Sequence, residues 1–233
     1  MKISVLIPCF NEEKTILKIL NKVNEQKQNF DLEIVVSDDG SNDKTKNLLV
    51  SNGKLYDHFV ENTKNMGKGN ALKSGLTKCT GDIVIIQDAD LEYNPKDYKK
   101  IIDTFIQNDA DVVYGSRFLG SSAHRIIYFS HRIANFLITI LVNIFTNINF
   151  SDVETGYKAF KKNILNELDI NEKSFGVEIE LTMKIAKLKL KIFEVGISYN
   201  GRTYEEGKKI RFIDAIIAVL LIFKYFINFS RPK

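Results

Sequence analysis

Hydrophobic residues in the first half of the chain are concentrated in four short runs, at 3–7, 32–37, 82–87 and 111–115. None of these runs alternates regularly between apolar and polar residues, which favours strands buried on both faces of a mostly parallel sheet. Helical stretches separate the runs. Alternating strands and helices predict an α/β domain whose right-handed crossovers place the carboxyl ends of the parallel strands along one edge.

The clearest helical pattern lies between the first two runs. Ile16, Leu20 and Val23 fall on one stripe of the predicted helix. Asn11 is the predicted N-cap. Glu12 and Glu13 would then lie in the first turn, where negative charge is favourable beside the helix dipole.

Polar and ionisable residues follow each of the four runs, as PCFNEE, DDGSND, DADLEY and SRF. Because ligands of open α/β sheets bind beyond the carboxyl ends of the strands, these segments predict a site at that edge. Asp88 and Asp90 lie two residues apart, so in an extended chain they leave the same face and repel each other unless a cation lies between them. They are predicted ligands of Mg²⁺ or Mn²⁺, with Glu92 as a further candidate. The alternative is a solvated acidic strand end.

Two further segments also have two interpretations. Asp38 and Asp39 lie in the stretch 37–45, which forms either an ordinary turn with an N-cap or acceptors for a base N–H or a ribose hydroxyl. Lys68 lies between two glycines at 65–71, which suits a phosphate or a plain helix-entry loop. No GxGxxG pattern follows the first run, which argues against a nicotinamide or flavin site.

Basic residues appear at two places that could meet phosphate. Arg117 follows the fourth run and can make bidentate contacts to a phosphate. A glycine-containing loop at 199–211 carries four basic residues, Arg202, Lys208, Lys209 and Arg211. Such a loop could close over phosphates, and the alternative is a merely solvated loop.

Two long apolar segments lie in the second half. The segment 124–148 predicts one long helix or two, and its polar residues recur every four positions, at His131, Asn135, Thr139, Asn143 and Asn147. This pattern fits a helix in a membrane interface with a narrow wet stripe, and equally a helix in a core or dimer contact. The apolar run 215–223 is short of the roughly 20 residues needed to span a bilayer, so it predicts a surface-lying or docked helix.

The composition is that of a globular protein. The 233 residues contain no Pro/Gly/Ser-rich linker, which predicts one domain with a C-terminal elaboration. A net charge of +4 gives no argument for nucleic acid, although it suits an anionic membrane or a phosphate-bearing substrate. Cys9 and Cys79 lack metal-type spacing, and the N-terminus lacks a signal-peptide pattern, so we expect a reduced, cytoplasmic setting.

Eight segments together resemble glycosyltransferase family 2 in order and spacing, and they are IPCFNEE, SDDGSNDKT, NMGKGNAL, QDADLEY, GSRF, SDVETGYKAF, FGVEIEL and YNGRTYEEGKK. The chain is most similar to the polyprenyl-phosphate branch, the dolichol-phosphate mannose synthase-like enzymes. The resemblance implies a GT-A catalytic domain at 1–211 and a C-terminal apolar helix with a basic tail at 212–233. It also implies an interfacial helix region at about 124–148 and an acceptor loop at about 200–209.

The resemblance also implies roles for individual residues. The nucleotide-sugar site would consist of Pro8, Phe10, Glu12, Asp38, Asp39, Lys68, Asp88, Ala89, Asp90, Arg202 and Lys208. The acceptor phosphate would meet Arg117, Arg132, Arg125 and Ser130, with Arg125 and Arg132 competing for one position. Asp90 and Arg117 would be catalytic, and Asp88 and Asp90 would hold Mg²⁺ or Mn²⁺.

The implied reaction is inverting transfer of a hexose from a nucleotide sugar of the GDP-mannose or UDP-glucose type to a polyprenyl phosphate. We expect the chain to act at the cytoplasmic membrane face, attached peripherally through its two apolar helices, with a membrane subunit or a second copy as candidate partners. A lipid phosphate is already an anion, so it can attack without a protein base.

Two other functions remain open. A family 2 enzyme that acts on a saccharide hydroxyl in cell-surface glycan synthesis would need a base, for which Glu154 is the nearest candidate, although we favour a structural or acceptor-side role for it. The QxxRW and TED-like motifs of processive synthases are absent. A non-catalytic nucleotide-sugar-binding module is the third interpretation. The presence of both Asp88 and Asp90 argues against it.

Overall fold

The strands of the chain form one seven-stranded sheet in the computed structural model, which describes residues 1–120, 125–126, 128–208 and 212–227. The strands are β1 (Ile3–Cys9), β2 (Leu32–Asp38), β3 (His58–Glu61), β4 (Ile83–Ile86), β5 (Val112–Ser116), β6 (Lys158–Lys161) and β7 (Ile192–Gly196). Their order across the sheet is β3-β2-β1-β4-β6-β5-β7.

Helices cover both faces of this sheet. They are α1 (Ile16–Gln26), α2 (Thr45–Ser51), α3 (Lys68–Leu76), α4 (Tyr98–Asn108), α5 (Phe129–Thr146), α6 (Lys162–Glu167), α7 (Val177–Ile185) and α8 (Phe212–Ile227). The alternation of strands and helices confirms the predicted α/β class.

The direction of the strands confirms the predicted edge. Strand β6 runs antiparallel to both β4 and β5, whereas the other neighbouring strands pair in parallel. The six parallel strands therefore point the same way, and the loops that follow β1, β2, β4 and β5 meet at one edge. These are the four strands that the apolar runs predicted.

Burial on both faces explains why the runs do not alternate. In β1, Leu6 packs in the apolar layer that includes residues of α3, α5, α7 and α8, while Val5 and Ile7 pack in the layer with α1 and α4. Every residue of β1 and β2 is buried. The pattern could not predict β3, β6 and β7, because β3 and β7 are half-buried edge strands and β6 has a lysine at each end instead of a continuous apolar run.

The predicted start of α1 is wrong. The helix begins at Ile16, and Asn11 lies five residues before it with a positive φ of 52°. Asn11 Oδ1 accepts a hydrogen bond from the backbone N–H of Asn42 (2.9 Å), and Glu13 accepts one from the N–H of Lys44 (3.0 Å). The polar residues after β1 therefore join two neighbouring loops instead of capping the helix.

A buried carboxylate joins β2 to the segment before β4. Glu33 accepts hydrogen bonds from the Ser4 hydroxyl, from Thr80 Oγ1 (2.5 Å) and from the Gly81 N–H (3.1 Å), and Lys2 Nζ lies 2.6 Å from it. Burial alone would raise the pKa of Glu33, but the hydrogen bonds from Lys2, Ser4 and Thr80 together outweigh it and lower the pKa from 4.5 to about 2.

We expect Glu33→Gln to lower the free energy of unfolding by about 2 kcal/mol at pH 7, because charge-assisted hydrogen bonds are lost. A lowered pKa means that the stabilising effect is complete above pH 4.5 and disappears as the pH falls toward 2. Chemical denaturation between pH 7 and pH 3 measures the difference. Glu25→Gln, at an exposed glutamate, is the control. A wild-type advantage that stays constant with pH would contradict this account.

Candidate active site

A cavity of about 720 Å³ opens at the carboxyl edge of the sheet. Loops after β1, β2, β4 and β5 form its polar part, and α5 and α8 form its apolar end. Of the site residues predicted from the sequence, the cavity lining contains Pro8, Phe10, Glu12, Asp39, Lys68, Asp88, Ala89, Asp90, Glu92, Arg117, Arg125, Ser130, Arg132, Arg202 and Lys208. The structure thus brings residues from distant parts of the sequence into one place.

Asp38 is the predicted site residue that does not line this cavity. Its side chain is buried at the end of β2, where it accepts hydrogen bonds from the hydroxyl (2.5 Å) and the N–H of Ser41. Burial raises its pKa. The position of Asp38 supports the turn interpretation of this stretch.

Asp39 lines the cavity but already has several hydrogen-bond donors. Its carboxylate accepts from the Asn62 side chain (3.0 Å) and from the N–H groups of Met66 (2.9 Å) and Gly67 (2.5 Å). Asp39 therefore fastens the loop before α3 to the end of β2. The remaining lone pairs of a carboxylate leave room for a further donor.

The glycines around Lys68 are explained by packing. A Cβ on Gly67, whose φ is 95°, would collide with the carbonyl oxygen of Lys173, and a Cβ on Gly69 would collide with that of Glu172. These glycines allow α3 to approach the segment at 172–174. Close contact with protein backbone accounts for them without a phosphate, which supports the helix-entry interpretation of the loop.

Lys68 is held between two carboxylates. Its ammonium lies 2.6 Å from Asp88 and 2.9 Å from Glu178 of α7. Burial would lower its pKa, but Asp88 and Glu178 outweigh burial and raise it. From the sequence, Lys68 is a candidate to bind a donor phosphate. In the structure, Asp88 and Glu178 neutralise most of its positive charge.

A second lysine extends this arrangement into the core. Lys158 is fully buried, forms an ion pair with Glu178, and donates to the carbonyl oxygens of Val153 (3.1 Å) and Thr155. Burial is the main effect on Lys158 and lowers its pKa. Sequence reasoning missed Lys158 and Glu178; the available signal was a charged residue within an otherwise apolar buried element.

Asp90 is paired with Arg202. Arg202 Nη2 lies 2.6 Å from Asp90 Oδ2, and its Nε lies 3.3 Å from Glu92. Burial, together with the like charges of Glu92 and Asp88, raises the pKa of Asp90 to about 7, although Arg202 opposes this. The predicted repulsion is therefore present, and protein cations relieve only part of it.

The geometry of the acidic pair differs from the predicted extended one. Strand β4 ends at Ile86, and Ala89 and Asp90 lie in a turn that continues into Leu91 with a φ of 68°. Asp88 and Asp90 consequently point to different cations, Lys68 and Arg202. Glu92 is held by the Tyr199 hydroxyl (2.8 Å) and the N–H of Arg202 (2.9 Å).

The donor set fits a cation that also takes substrate ligands. Within the ranges that the structure describes, no group of three or more His, Cys, Asp or Glu side chains converges to hold a metal ion. Asp88 and Asp90 offer carboxylate oxygens, and burial together with the like charges of Glu92 and Asp88 raises the pKa of Asp90 even though Arg202 lies beside it. Mg²⁺ is commonly bound by one or two carboxylates together with substrate phosphates, so this set is suitable for it.

The cations around the cavity differ in how they are paired. Arg117 forms a bidentate pair with Asp152, with Nε–Oδ2 at 2.7 Å and Nη2–Oδ1 at 2.6 Å, so the edge that was predicted to bind phosphate faces a carboxylate. Arg125 pairs with Glu206 at 2.7 Å.

Arg132 and Lys208 have no ion-pair partner among the described residues. The Arg132 guanidinium lies 4.4 Å from the centre of the Phe118 ring. Burial lowers the pKa of Lys208. Positive charge without a protein counter-ion beside a cavity is suited to an anionic ligand. Lys209 and Arg211, also predicted in this loop, lie outside the described residues.

Glu154 is an acidic residue of the cavity to whose side chain the described part of the chain offers no hydrogen bond. Its Oε1 atom is buried and has no hydrogen-bond partner among the described residues. Burial raises its pKa to about 7, with Lys158 and Arg117 opposing the shift and Glu178 adding to it. An unsatisfied carboxylate in a cavity is unusual for a purely structural residue.

The polar stripe of helix α5 faces the rest of the protein. It does not form a wet stripe at a membrane surface, which is one of the two arrangements that the sequence predicts. Asn143 exchanges hydrogen bonds with the backbone of Phe150 (2.8 and 3.0 Å), and Thr139 accepts one from the N–H of Val153 (3.4 Å). Ile138 and Val142 of this helix are buried in the core, whereas other apolar residues face outward, with 61% of Phe136 and 58% of Leu137 exposed.

Helix α8 continues this exposed apolar surface. Its Phe226 ring stacks on Phe145 of α5 at 4.3 Å, while Leu220 is 63% exposed. We call the outward side chains of both helices the apolar face; they are Phe129, Ile133, Phe136, Leu137, Ile140, Ile144, Ile213, Ile216, Ile217, Leu220, Phe223, Phe226 and Ile227. Phe129 and Ile217 also line the cavity, so the face and the cavity are continuous.

One helix of the described chain, Phe129–Thr146, is long and apolar enough to cross a membrane by length and composition, with a mean hydropathy of 1.3 over 18 residues of which 22% are buried. Core helices of soluble proteins pass the same test, so by itself this is weak evidence.

Known proteins resemble the chain in sequence. The model of the family described as Glycosyl transferase family 2 matches residues 4–169. A dolichol-phosphate mannosyltransferase from Pyrococcus furiosus is 27% identical over 215 residues, which are 90% of this chain and 61% of that protein. A dolichyl-phosphate beta-glucosyltransferase from Trichomonas vaginalis is 28% identical over 90% of this chain and 68% of that protein. This chain therefore spans less than two thirds of the Pyrococcus protein's length.

Solved structures resemble the fold. Glucosyl-3-phosphoglycerate synthase from Mycobacterium tuberculosis, in complex with Mn²⁺, UDP and phosphoglyceric acid, matches with a TM-score of 0.75 at 20% identity, covering 100% of this chain and 80% of that one. The likeness confirms the predicted GT-A fold.

A substitution at Gly156 tests how closely the chain packs around Asp88 and Lys68. An added Cβ there would collide with Asp88 Oδ2 and lie 2.9 Å from Lys68 Nζ. We expect Gly156→Ala to force the Asp88–Lys68 pair apart and to lower the free energy of unfolding by about 1–3 kcal/mol, measured by chemical denaturation.

The matched control is Gly53→Ala. Its Cβ would meet only Tyr56 Oη, at an ordinary 3.8 Å, so we expect stability to be unchanged or slightly raised. If both substitutions changed the free energy of unfolding equally, the Asp88–Lys68 pair would be able to rearrange without loss of stability.

Proposed function

The chain belongs to glycosyl transferase family 2, and on that premise we propose that it moves a hexose from a nucleotide sugar to a polyprenyl phosphate with inversion at the anomeric carbon. The observation that carries this proposal is the continuity of one cavity between charged groups and the apolar face. An acceptor with an anionic head and a long apolar chain would use both ends. The names of the dolichol-phosphate relatives support the same acceptor class.

The donor would lie at the end of the cavity that contains Pro8, Phe10, Glu12 and Asp39, with its diphosphate beside Asp88 and Asp90. The UDP complex of the Mycobacterium neighbour supports a nucleotide sugar as donor. We propose a GDP-mannose or UDP-glucose type, and Arg202 would then exchange part of its contact with Asp90 for the incoming diphosphate. Lys68 would act on the donor indirectly, by holding Asp88 in position.

A divalent cation, Mg²⁺ or Mn²⁺, would be held by Asp88 and Asp90 together with the diphosphate, and it would offset the charge on the departing group. The complexes of structural neighbours with Mn²⁺ or Mg²⁺ and UDP support this choice. Glu92 would contribute by keeping Arg202 and Tyr199 in place.

In the proposed reaction, an oxygen of the lipid phosphate attacks the anomeric carbon while the bond to the diphosphate breaks. The bonding electron pair leaves with the nucleoside diphosphate, and no proton has to be removed because the phosphate is already ionised. Catalysis would consist of placement and charge. Arg117, Arg132 and Lys208 would reduce the repulsion between the two phosphate groups, with Arg125 and Ser130 at the acceptor side.

One observation favours a second candidate, transfer to a saccharide hydroxyl. That reaction needs a general base near the operating pH, and Glu154 has a pKa raised to about 7 within the cavity. The apolar face has no role in that reaction. We therefore retain polyprenyl phosphate as the proposed acceptor and use Glu154 to separate the two reactions below.

We further propose that the chain lies on the cytoplasmic face of a membrane with the apolar face inserted among lipid head groups. A contiguous exposed surface of thirteen large hydrophobic side chains on two packed helices is unusual for a monomer in water. A membrane subunit or a second copy of the chain covering the same face would be the alternative partners. The division into a catalytic domain at 1–211 and a C-terminal helix at 212–233 is part of this proposal.

The reaction can be tested with labelled nucleotide sugars, Mg²⁺ or Mn²⁺ and a short polyprenyl phosphate, by measuring label in the organic phase. We expect transfer by the wild type and at least about a 100-fold loss in Asp90→Asn, because the carboxylate beside the diphosphate is removed.

The control for this experiment is Asp103→Asn, which alters a half-buried aspartate paired with Lys99 at 2.7 Å on α4, outside the cavity lining. It should retain full activity, and all three proteins should have similar melting temperatures. Full transfer by Asp90→Asn would refute the role of Asp90. Transfer to a saccharide but never to the lipid phosphate would favour the second candidate.

Membrane binding can be measured by co-sedimentation with phosphatidylglycerol and phosphatidylcholine vesicles. We expect the double variant Phe136→Glu and Leu137→Glu to bind at least about 10-fold more weakly, because apolar burial is replaced by two charges. Val50→Glu with Ile106→Glu is the matched control, since those residues are 64% and 65% exposed away from the apolar face. An equal loss in both variants, or in neither, would refute the proposed orientation.

A further inference from the structure

The loop that carries Glu154 is fixed on both sides. Thr155 Oγ1 donates to the carbonyl oxygen of Gly115 (2.6 Å), and the N–H of Gly156 donates to the hydroxyl of Tyr93 (3.0 Å). Lys158 donates to the carbonyl oxygens of Val153 and Thr155. Hydrogen bonds therefore anchor the backbone on both sides of Glu154, whereas the Oε1 atom of its side chain has no partner among the described residues.

Nearby carboxylates contrast with Glu154. Asp88 is paired with Lys68, Glu178 with Lys68 and Lys158, and Asp152 with Arg117. Each cation close to Glu154 is already engaged by another carboxylate. A buried oxygen that lacks a partner lowers stability, so folding alone gives no reason for a glutamate at this position.

The surroundings indicate the kind of group that Glu154 would bind. Its electrostatic neighbours include the acids Glu178 and Asp152 as well as Lys158 and Arg117, so a phosphate would meet negative charge there. A hydroxyl group can donate to a carboxylate and accept from its protonated form, so it suits this oxygen in either state.

The position of Glu154 relative to Asp88 and Asp90 indicates which part of the ligand would carry this hydroxyl group. Gly156, two residues along the same loop, lies directly against Asp88 and Lys68. Lys68, Asp88, Glu154 and Gly156 all line the same cavity. If the diphosphate of a donor lies at Asp88 and Asp90, the next group along the donor is its hexose, and the Glu154 loop forms the adjacent wall.

We propose that Glu154 is a specificity-determining residue that binds a hydroxyl group of the transferred hexose. This inference rests on the proposed function and adds to it the residue that distinguishes a nucleotide sugar from the bare nucleoside diphosphate. It also assigns Glu154 to the donor, in contrast to a general base acting on an acceptor hydroxyl. The unsatisfied oxygen in the free protein is then a site that the sugar completes.

The test compares two pairs of ligands, each a nucleoside diphosphate and its nucleotide sugar, on three proteins by isothermal titration calorimetry in the presence of Mn²⁺. UDP is compared with UDP-glucose, and GDP with GDP-mannose, on the wild type, Glu154→Ala and Glu154→Gln. We expect Glu154→Ala to bind the nucleotide sugar at least about 10-fold more weakly and the nucleoside diphosphate within about 2-fold of the wild type. Glu154→Gln, which can still hydrogen bond a hydroxyl, should recover most of that loss.

The stability of the variant provides a measurement that is independent of ligand affinity. Because Glu154→Ala removes an unsatisfied buried oxygen, its melting temperature should equal or exceed that of the wild type. The control Glu167→Ala, at an exposed residue of α6, should leave both affinities unchanged.

Three outcomes would overturn the assignment. They are equal effects of Glu154→Ala on both ligands, no effect on either, and a Glu154→Gln variant that binds the sugar donor normally but loses turnover at least about 100-fold, which identifies a base. If the wild type binds neither nucleoside diphosphate, the proposed function itself fails and this inference fails with it.

Discussion

The neutralisation of buried carboxylates at one edge of the sheet is the constraint on which the site depends. Lys68 lies between Asp88, after β4, and Glu178, on α7. Glu178 is shared with the fully buried Lys158 of β6. Removing one member of such a group leaves an uncompensated charge in a poorly solvated environment. Two strands and two helices are therefore held in register at the place where the cavity needs acidic groups.

The same principle explains why the cavity can accept anions. Arg117 is committed to Asp152, and Arg202 to Asp90 and Glu92, while Arg132 and Lys208 have no ion-pair partner in the described parts of the chain. The cavity is therefore lined by cations that carboxylates already pair and by two cations that lack such a partner among the described residues. The proposed donor diphosphate and acceptor phosphate would both lie among these cations.

The sequence predicted the buried strands and the loops after them, because continuous apolar runs are a strong signal. Asp88, Asp90 and Arg117 were found at the edge of the sheet for that reason. The partners of these residues were not predictable from local pattern. Lys158 and Asp152 lie far along the chain from the groups they affect, and ion pairing across 20 residues or more leaves no periodic trace.

Local pattern also misled where tertiary contacts override it. Asn11 looks like a helix cap, yet it bonds to the neighbouring loop at Asn42, and the glycines beside Lys68 serve packing against 172–174. The polar stripe of α5 was visible in the sequence, but the direction in which it points depends on Phe150 and Val153, which lie beyond the helix.

The placement of β6 between β4 and β5 has a consequence for how the chain acquires its shape during synthesis. The two flanking strands are complete by residue 116, but the strand that joins them is made only at 158–161. Until then β4 and β5 both present unpaired backbone edges, which are sites for mispairing. The ribosome must therefore synthesise residues 158–161 before β4 and β5 can be joined, and the part of the chain made earlier is the part exposed to mispairing.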